Sequence, residues 1–187
     1  MNSYRLERFK DSIYVCGFMA SGKSTVGKSL ADKLGREYRD LDAVIEEKEE
    51  QSIKEIFEEK GEEYFREKEW EYLLDLTRHF KGVVSLGGGA LQNQRIIDHL
   101  KVSGILLYLE TPMEVIVDRV LESDERPILF NESGKIKSRE TLFTELKTLY
   151  SGRKTFYKQA QITIDTTLYS SVDEITEAAI EKITRHV

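Results

Sequence analysis

The sequence is poor in residues that cross-link or interrupt a chain. Its 187 residues include one cysteine, two prolines and one tryptophan. The single cysteine, Cys16, excludes an internal disulfide, and a chain of this length can bury a sufficient core without one. No long apolar run is present, and the first twelve residues carry five charged side chains, so we expect neither a signal peptide nor a membrane span. The predicted compartment is the cytoplasm.

An excess of positive charge is also missing. The chain has 28 Lys and Arg residues against 34 Asp and Glu residues, which gives a formal net charge of −6 at pH 7. A general nucleic-acid binder needs a surplus of cationic side chains to meet the phosphate backbone. We therefore expect no nucleic-acid partner, and any anionic ligand must be held by local cationic groups.

What the sequence does contain is a phosphate-binding motif. Residues 17–25 read Gly-Phe-Met-Ala-Ser-Gly-Lys-Ser-Thr and match G-x-x-x-x-G-K-[ST]. The apolar run Ile13–Cys16 before it predicts a strand, and Thr25–Leu34 after it predicts a helix, as the motif requires. Because the backbone N–H groups of such a loop converge on phosphates, the sequence predicts an ATP or GTP protein. A chance glycine turn is disfavoured by this context.

Two side chains of the motif carry expected roles. Lys23 is expected to reach the β- and γ-phosphates, and the hydroxyl of Ser24 to ligate the Mg²⁺ that bridges them.

The rest of the chain alternates between strand and helix patterns. Such alternation predicts an α/β fold with a parallel sheet, in one doubly wound domain over residues 1–187. The polar segment Leu121–Lys137 is longer than an ordinary loop, so we expect a flap that closes over the nucleotide, with a plain surface loop as the alternative. The predicted strands are Ile13–Cys16, Val83–Leu86, Ile105–Leu109 and Ile162–Asp165, with a weaker one near Glu37–Leu41.

Two acids follow the weaker strand as Asp40-Leu41-Asp42. If the strand geometry continues, both carboxylates point to the edge of the sheet where ligands bind. The alternative is a helix N-cap followed by a solvated acid. The run Val83–Leu86 ends in three glycines instead of the acid that often supports Mg²⁺, so we expect Asp40 to take that role.

Taken in order, these motifs resemble the shikimate kinase family from about Tyr14 to Thr166. The resemblance implies a three-layer P-loop NTPase fold of the nucleoside-monophosphate-kinase type, with a five-stranded parallel sheet flanked by helices. It also implies a substrate-binding helical region over about residues 42–79 and a lid over about residues 121–137. The matching segments are Gly17–Thr25, Asp40–Asp42, Phe65-Arg66-x-x-Glu69, Gly87–Ala90, Arg126-Pro127, Arg153-x-x-x-Tyr157 and Ile164–Thr166.

Carried onto this chain, the resemblance implies an acceptor site for shikimate. Arg66 and Arg153 would pair with its carboxylate, for which guanidinium groups are geometrically suited. Asp42 would bind the ring hydroxyls and act as general base. The remaining implied roles are those of Gly88, which would contact shikimate, of Glu69, which would orient Arg66, and of Phe57 and Phe65, which would form an apolar wall.

The resemblance also implies a donor site. Lys23 and Arg126 would neutralise charge on the transferred phosphoryl group. Ser24 would ligate Mg²⁺ directly, and Asp40 would act through its water shell. The nucleotide would be held by Ala20, Ser21, Gly22, Lys23, Ser24, Thr25, Arg119 and Arg126, with Arg119 against adenine.

The implied activity is transfer of phosphate from ATP to the 3-hydroxyl of shikimate, a step of chorismate and aromatic amino acid biosynthesis, by a monomer. A kinase of the same fold that acts on gluconate or a nucleoside monophosphate is one alternative. A GTPase-like switch or a silent binding module is another. The N-K-x-D motif that reads guanine is absent from the sequence, which disfavours the switch.

Overall fold

The computed structural model describes residues 9–123, 127–131 and 134–187. Within these ranges the chain forms five strands and eight α-helices, together with short 3₁₀ turns at Pro127–Leu129 and Thr166–Leu168. In chain order the elements are β1 (Ser12–Cys16), α1 (Lys23–Leu34), β2 (Tyr38–Asp40), α2 (Leu41–Glu49), α3 (Ile53–Glu59), α4 (Gly61–His79), β3 (Val83–Ser85), α5 (Gln94–Ser103), β4 (Gly104–Glu110), α6 (Met113–Leu121), α7 (Arg139–Tyr157), β5 (Ile162–Asp165) and α8 (Val172–His186).

The strands form one parallel sheet in the order β2-β3-β1-β4-β5. The prediction of a five-stranded parallel sheet flanked by helices is therefore confirmed. Every residue of the central strand β1 is buried, which explains why its sequence is a continuous apolar run and does not alternate. The carboxyl ends of the strands lie along one edge of the sheet, where ligands bind in open α/β folds.

Two hydrophobic clusters cover the two faces of the sheet. Alternate residues of β1 point into different clusters, with Tyr14 and Cys16 in one and Ile13 and Val15 in the other. The second cluster is completed by apolar residues of α1 and α8, and the first by the remaining helices. The result is the predicted three-layer arrangement.

The described residues of the predicted flap make local contacts. Phe130 and Ile136 form an isolated antiparallel bridge. Arg139, at the start of α7, binds Asp118 of α6 at 2.8 Å, so the two helices that flank the segment are joined at its base.

The edges of the sheet are short. The outer strands β2 and β5 contain three and four residues. The ammonium of Lys182 in α8 donates a hydrogen bond of 2.7 Å to the carbonyl of Thr163 in β5. Among the helices of the described ranges, none combines the length and the apolar character needed to cross a lipid bilayer.

Candidate active site

The phosphate loop lies between β1 and α1, at the carboxyl edge of the sheet. Gly22 has a φ of 94°, a left-handed conformation that favours glycine, and it is the N-cap of α1. A Cβ at Gly17 would lie 2.9 Å from the carbonyl oxygen of Leu109, so the loop passes too close to β4 for a side chain there. The loop therefore presents backbone N–H groups and the positive end of α1 to one point.

Two cationic side chains contact the carbonyl groups of this loop. The ammonium of Lys23 donates to the carbonyl of Phe18 at 2.9 Å, and Nη1 of Arg119 donates to the carbonyl of Ala20 at 2.9 Å. Lys23 belongs to α1 and Arg119 to α6, so the charges reach the loop from two sides of the sheet edge. A polyanion such as a nucleotide triphosphate matches this pair of charges.

A cleft of about 540 Å³ opens above the loop. It brings together most of the residues predicted for the donor site, and other residues to which the sequence assigned no binding role. The predicted site residues in its lining are Ala20, Ser21, Gly22, Lys23, Ser24, Thr25, Asp40, Asp42, Gly88 and Arg119. The others include Met19, Leu86, Thr166, Val172 and Ile175.

Asp40 ends β2 and caps α2. The strand geometry does not continue to Asp42, because Leu41 already begins the helix, and the prediction that both carboxylates extend from one strand is wrong on this point. Oδ1 of Asp40 accepts from the backbone N–H of Asp42 at 3.1 Å, whereas Oδ2 accepts from the hydroxyls of Ser24 at 2.8 Å and Tyr38 at 3.1 Å. The N-cap interpretation thus holds for Asp40.

The pair of Ser24 and Asp40 has the chemistry of a Mg²⁺ site. A hydroxyl and a carboxylate at hydrogen-bond distance are hard oxygen donors, and Mg²⁺ is commonly bound through one or two such groups plus phosphate oxygens. No cluster of three or more His, Cys, Asp or Glu side chains suited to a metal is found in residues 9–123, 127–131 and 134–187. The Ser24 hydroxyl and the Asp40 carboxylate fit an ion that phosphate oxygens also bind.

Asp42 is a partly buried carboxylate in a poorly solvated position. Its Oδ1 is buried and has no hydrogen-bond partner within the described part of the chain. The pKa of Asp42 is raised to about 6, chiefly by burial and then by the neighbouring charges of Asp40 and Glu69, against the lowering effect of the Lys23 ammonium. A carboxylate with a free lone pair and a pKa near 6 is suited to accept a proton at neutral pH.

Arg66 lies on α4 with its guanidinium held by two carboxylates. Nη1 donates to Glu69 at 2.6 Å, and Nε and Nη2 approach Glu62 at 3.4 and 3.3 Å. Burial raises the pKa of Glu69, and the charges of Arg66 and then Arg153 lower it. Both arginines therefore lie close to the same buried acid.

The predicted apolar wall flanks Arg66. The rings of Phe57 and Phe65 are 4.8 Å apart, and the Arg66 guanidinium lies 5.0 Å from the centre of the Phe65 ring. Phe65 is buried, whereas Phe57 is 37% exposed and leaves part of its ring available to a ligand.

The loop Gly87-Gly88-Gly89 connects these side chains. A Cβ at Gly87 would lie 2.6 Å from Oδ1 of Asp42 and 3.1 Å from Oε1 of Glu69, and one at Gly89 would lie 2.8 Å from Nη2 of Arg66. The carbonyl of Gly88 accepts from Nη1 of Arg153 at 3.1 Å and from the hydroxyl of Tyr157. Glycine is therefore needed at positions 87 and 89, where the loop lies directly against functional side chains.

The structure thus brings together the acceptor residues Asp42, Arg66, Glu69 and Arg153 around one loop, beside the donor cleft. Arg126 lies outside the described residues. Sequence reasoning assigned no role to Tyr38 or Tyr157, although Tyr157 belongs to the segment Arg153-x-x-x-Tyr157 that carries the resemblance.

Several known proteins of similar sequence and structure come from one family. A model of the family described as shikimate kinase matches residues 19–184. A shikimate kinase of Chloroherpeton thalassium is 36% identical over 178 residues, which cover 94% of this chain and 93% of the relative. One of Persephonella marina is 42% identical over 167 residues, 88% of this chain and 96% of the relative. The structure of shikimate kinase from Acinetobacter baumannii in complex with shikimate has a TM-score of 0.85 at 34% identity and covers 98% of both chains.

Proposed function

The chain belongs to the shikimate kinase family, and we propose on this basis how its residues catalyse phosphate transfer from ATP to shikimate. The enzyme is an ATP-dependent shikimate kinase of chorismate and aromatic amino acid biosynthesis. The reaction converts the 3-hydroxyl of shikimate to a phosphate ester and releases ADP.

The donor half of the proposal rests on the phosphate loop. The backbone N–H groups of residues 17–25 hold the phosphates of ATP, and Lys23 leaves the Phe18 carbonyl to pair with the γ-phosphoryl group. Arg126 is proposed to add a second charge to that group, and Arg119 to lie against adenine. These charges act in the transition state, in which negative charge on the transferred group must be stabilised.

Ser24 and Asp40 are proposed to hold Mg²⁺, Ser24 directly and Asp40 through water. The ion would supply positive charge that offsets the charge of the nucleotide phosphates. The Ser24 hydroxyl donates to Asp40, and this hydrogen bond keeps both oxygens next to the phosphate loop.

The acceptor half of the proposal rests on the residues around the glycine triplet. Arg66 and Arg153 bind the carboxylate of shikimate, with Glu69 orienting Arg66. Phe57 and Phe65 bound the ring, and Gly88 contacts the substrate. Asp42 accepts the proton of the 3-hydroxyl, and the oxygen of that hydroxyl forms a bond to the γ-phosphorus. At the same time the bond between the γ-phosphorus and the β–γ bridging oxygen breaks, and ADP leaves.

One observation carries this assignment. The loop Gly87–Gly89 lies against Asp42, Glu69, Arg66 and Arg153, and a Cβ at Gly88 would lie only 3.3 Å from the backbone nitrogen of Met19 in the phosphate loop. A base, two cations for a carboxylate and a phosphate-binding loop therefore adjoin one short segment, as transfer between two bound substrates requires.

The test is an ADP-release assay with purified protein, Mg²⁺ and ATP. We expect turnover that depends on shikimate, with a phosphorylated product identified by mass spectrometry. Gluconate and a nucleoside monophosphate serve as comparison acceptors, and 3-dehydroshikimate, which keeps the carboxylate but lacks the 3-hydroxyl, should give no turnover. Turnover with gluconate but not shikimate would contradict the proposal.

We further propose that the enzyme is a monomer in the cytoplasm. Residues 1–187 would form one domain, with an acceptor region over about residues 42–79 and a lid over about residues 121–137. ATP, the phosphate donor of the reaction, is abundant in the cytoplasm. Light scattering after gel filtration should give the mass of one chain, and a dimer would contradict the assignment.

A further inference from the structure

The carbonyl of Gly88 accepts two hydrogen bonds from α7. Nη1 of Arg153 donates at 3.1 Å, and the hydroxyl of Tyr157, one helical turn later, donates to the same oxygen. Both donors thus fix one peptide group of the loop that adjoins Asp42 and Arg66. Of the two, Arg153 has a proposed role toward the substrate, whereas Tyr157 has none.

Tyr157 is held rigidly. The residue is 1% exposed, and its ring stacks on Tyr108 with 5.3 Å between the ring centres and 14° between the planes. Burial raises the pKa of the Tyr157 hydroxyl, so that it stays protonated and remains a donor. A buried hydroxyl with a fixed ring has little freedom to point elsewhere, and its hydrogen bond orients the Gly88 peptide.

The position of the Gly88 peptide affects the side chains proposed to bind shikimate. Gly87 and Gly89, on either side, are limited by contact with Asp42 and Arg66, and Arg153 uses one of its five N–H groups on the Gly88 oxygen. If this oxygen moved, the loop and the Arg153 guanidinium would move with it. The phosphate loop is held by other donors as well, since the hydroxyl of Ser85 donates to the carbonyl of Lys23 at 3.0 Å and Nη1 of Arg119 donates to that of Ala20 at 2.9 Å.

We propose that Tyr157 is a positioning residue for the acceptor: its hydroxyl fixes the Gly88 carbonyl and so places the glycine loop and Arg153 for the carboxylate-bearing substrate. The inference rests on the proposed function. It adds to that function a residue that does not touch the substrate and acts through the loop.

The test compares Y157F with Y150F in steady-state kinetics. Y157F removes the hydroxyl and keeps the stacked ring. Tyr150 is the matched control, because its hydroxyl bonds to Tyr108 at 2.8 Å within the same aromatic cluster and not to Gly88. We expect Y157F to raise the KM for shikimate about three- to tenfold, as the loss of one buried hydrogen bond predicts, and to change the KM for ATP less than twofold. Y150F should change neither KM by more than twofold.

The inference would be overturned if Y157F raised the KM for shikimate and the KM for ATP equally, or if Y157F and Y150F changed these KM values equally. Either result would mean that the Tyr157 hydroxyl contributes only to packing. Thermal unfolding of each variant records the loss of stability separately. Wild-type turnover in the same assay separates the two claims, because an inactive wild type overturns the proposed function, whereas an active wild type with an unchanged Y157F overturns only the role of Tyr157.

A double-mutant cycle gives a second readout. Arg153→Ala removes the other donor to the Gly88 oxygen and a proposed contact with the carboxylate. We expect Y157F to raise the KM for shikimate clearly less in the Arg153→Ala background than in the wild type, because the two side chains act on one peptide group. Fully additive effects would show that Tyr157 does not act through this pair.

Discussion

Replacement of Asp42 by asparagine is expected to stabilise the fold while it removes turnover. The side chain keeps its shape but loses its charge. In the wild-type protein Oδ1 of Asp42 is buried, has no hydrogen-bond partner among the described residues, and lies near the like charges of Asp40 and Glu69. The folded state therefore holds the ionised form of Asp42 at a cost in free energy.

The magnitude follows from the pKa, which is raised from 3.8 to about 6. Since one pKa unit corresponds to roughly 1.36 kcal/mol, the ionised side chain lowers the free energy of unfolding by about 3 kcal/mol above pH 6. Between pH 3.8 and pH 6 the folded state binds more protons than the unfolded state, so this cost grows as the pH rises through that window. At pH 4.5 only about 1 kcal/mol of it remains.

The assay is urea unfolding of Asp42→Asn and wild type without ligands, at pH 7.5 and pH 4.5. We expect the variant to be more stable by about 3 kcal/mol at pH 7.5, which is a rise of about 5–10 °C in Tm for a chain of this size, and by about 1 kcal/mol at pH 4.5. Turnover at pH 7.5 should fall about 10²- to 10⁴-fold, as expected when a general base is lost.

Asp32→Asn is the control, since Asp32 is an exposed residue of α1 and its replacement should change stability by less than about 0.5 kcal/mol. If Asp42→Asn were no more stable than wild type at pH 7.5, the buried carboxylate would not be under electrostatic strain, and the argument for its role as a base would lose its physical support.

Three further predictions concern the acceptor side. The kcat/KM for shikimate should fall as the pH is lowered through about 6, because protonated Asp42 cannot accept the proton; a profile that stays flat to pH 5 would count against Asp42 as the base. Arg66→Ala should raise the KM for shikimate at least tenfold and leave the KM for ATP within about twofold, whereas Arg78→Ala on the same helix should change neither; equal losses for both substrates would show that Arg66 is misassigned. Gly87→Ala should weaken shikimate binding and lower stability by about 1–3 kcal/mol, because its Cβ would lie 2.6 Å from Oδ1 of Asp42. Gly152→Ala is its control, since a Cβ on this glycine of α7 would meet no atom within 4 Å. Denaturant unfolding and steady-state kinetics check both glycine variants.

The inner strands β1, β3 and β4 were predictable because they are buried on both faces and so read as apolar runs. The predicted runs Ile13–Cys16 and Ile162–Asp165 agree with β1 and β5 to within one residue. The phosphate loop was equally clear, since its chemistry requires a fixed spacing of glycine, lysine and serine.

The segment Asp40–Asp42 was less predictable from sequence. Asp40 both ends β2 and caps α2, and the local sequence does not show that the strand stops there and that Asp42 already lies in the helix. The partner of Asp40, Ser24, lies sixteen residues away, beyond the reach of local patterns.

The acceptor site was the hardest part to predict, because tertiary packing brings its residues together. The hydroxyl of Tyr157 and the carbonyl of Gly88 are 69 residues apart in the chain.

In α8, the apolar spacing of Val172, Ile175, Ala179 and Ile183 predicts one buried face, which holds for Ala179 and Ile183. Val172 is instead 39% exposed and lines the cleft.

The short outer strands have a consequence for how the protein behaves at high concentration. An unpaired strand edge is a template on which another chain can extend a sheet, and long, flat edges are the usual starting points of aggregation. Here each edge offers three or four residues, and the Lys182 side chain bonds to a carbonyl of β5 and places a positive charge beside that edge. The folded enzyme therefore offers few unpaired backbone groups to which a strand of another molecule could bind. We expect aggregation to begin from unfolded chains and not from the native sheet.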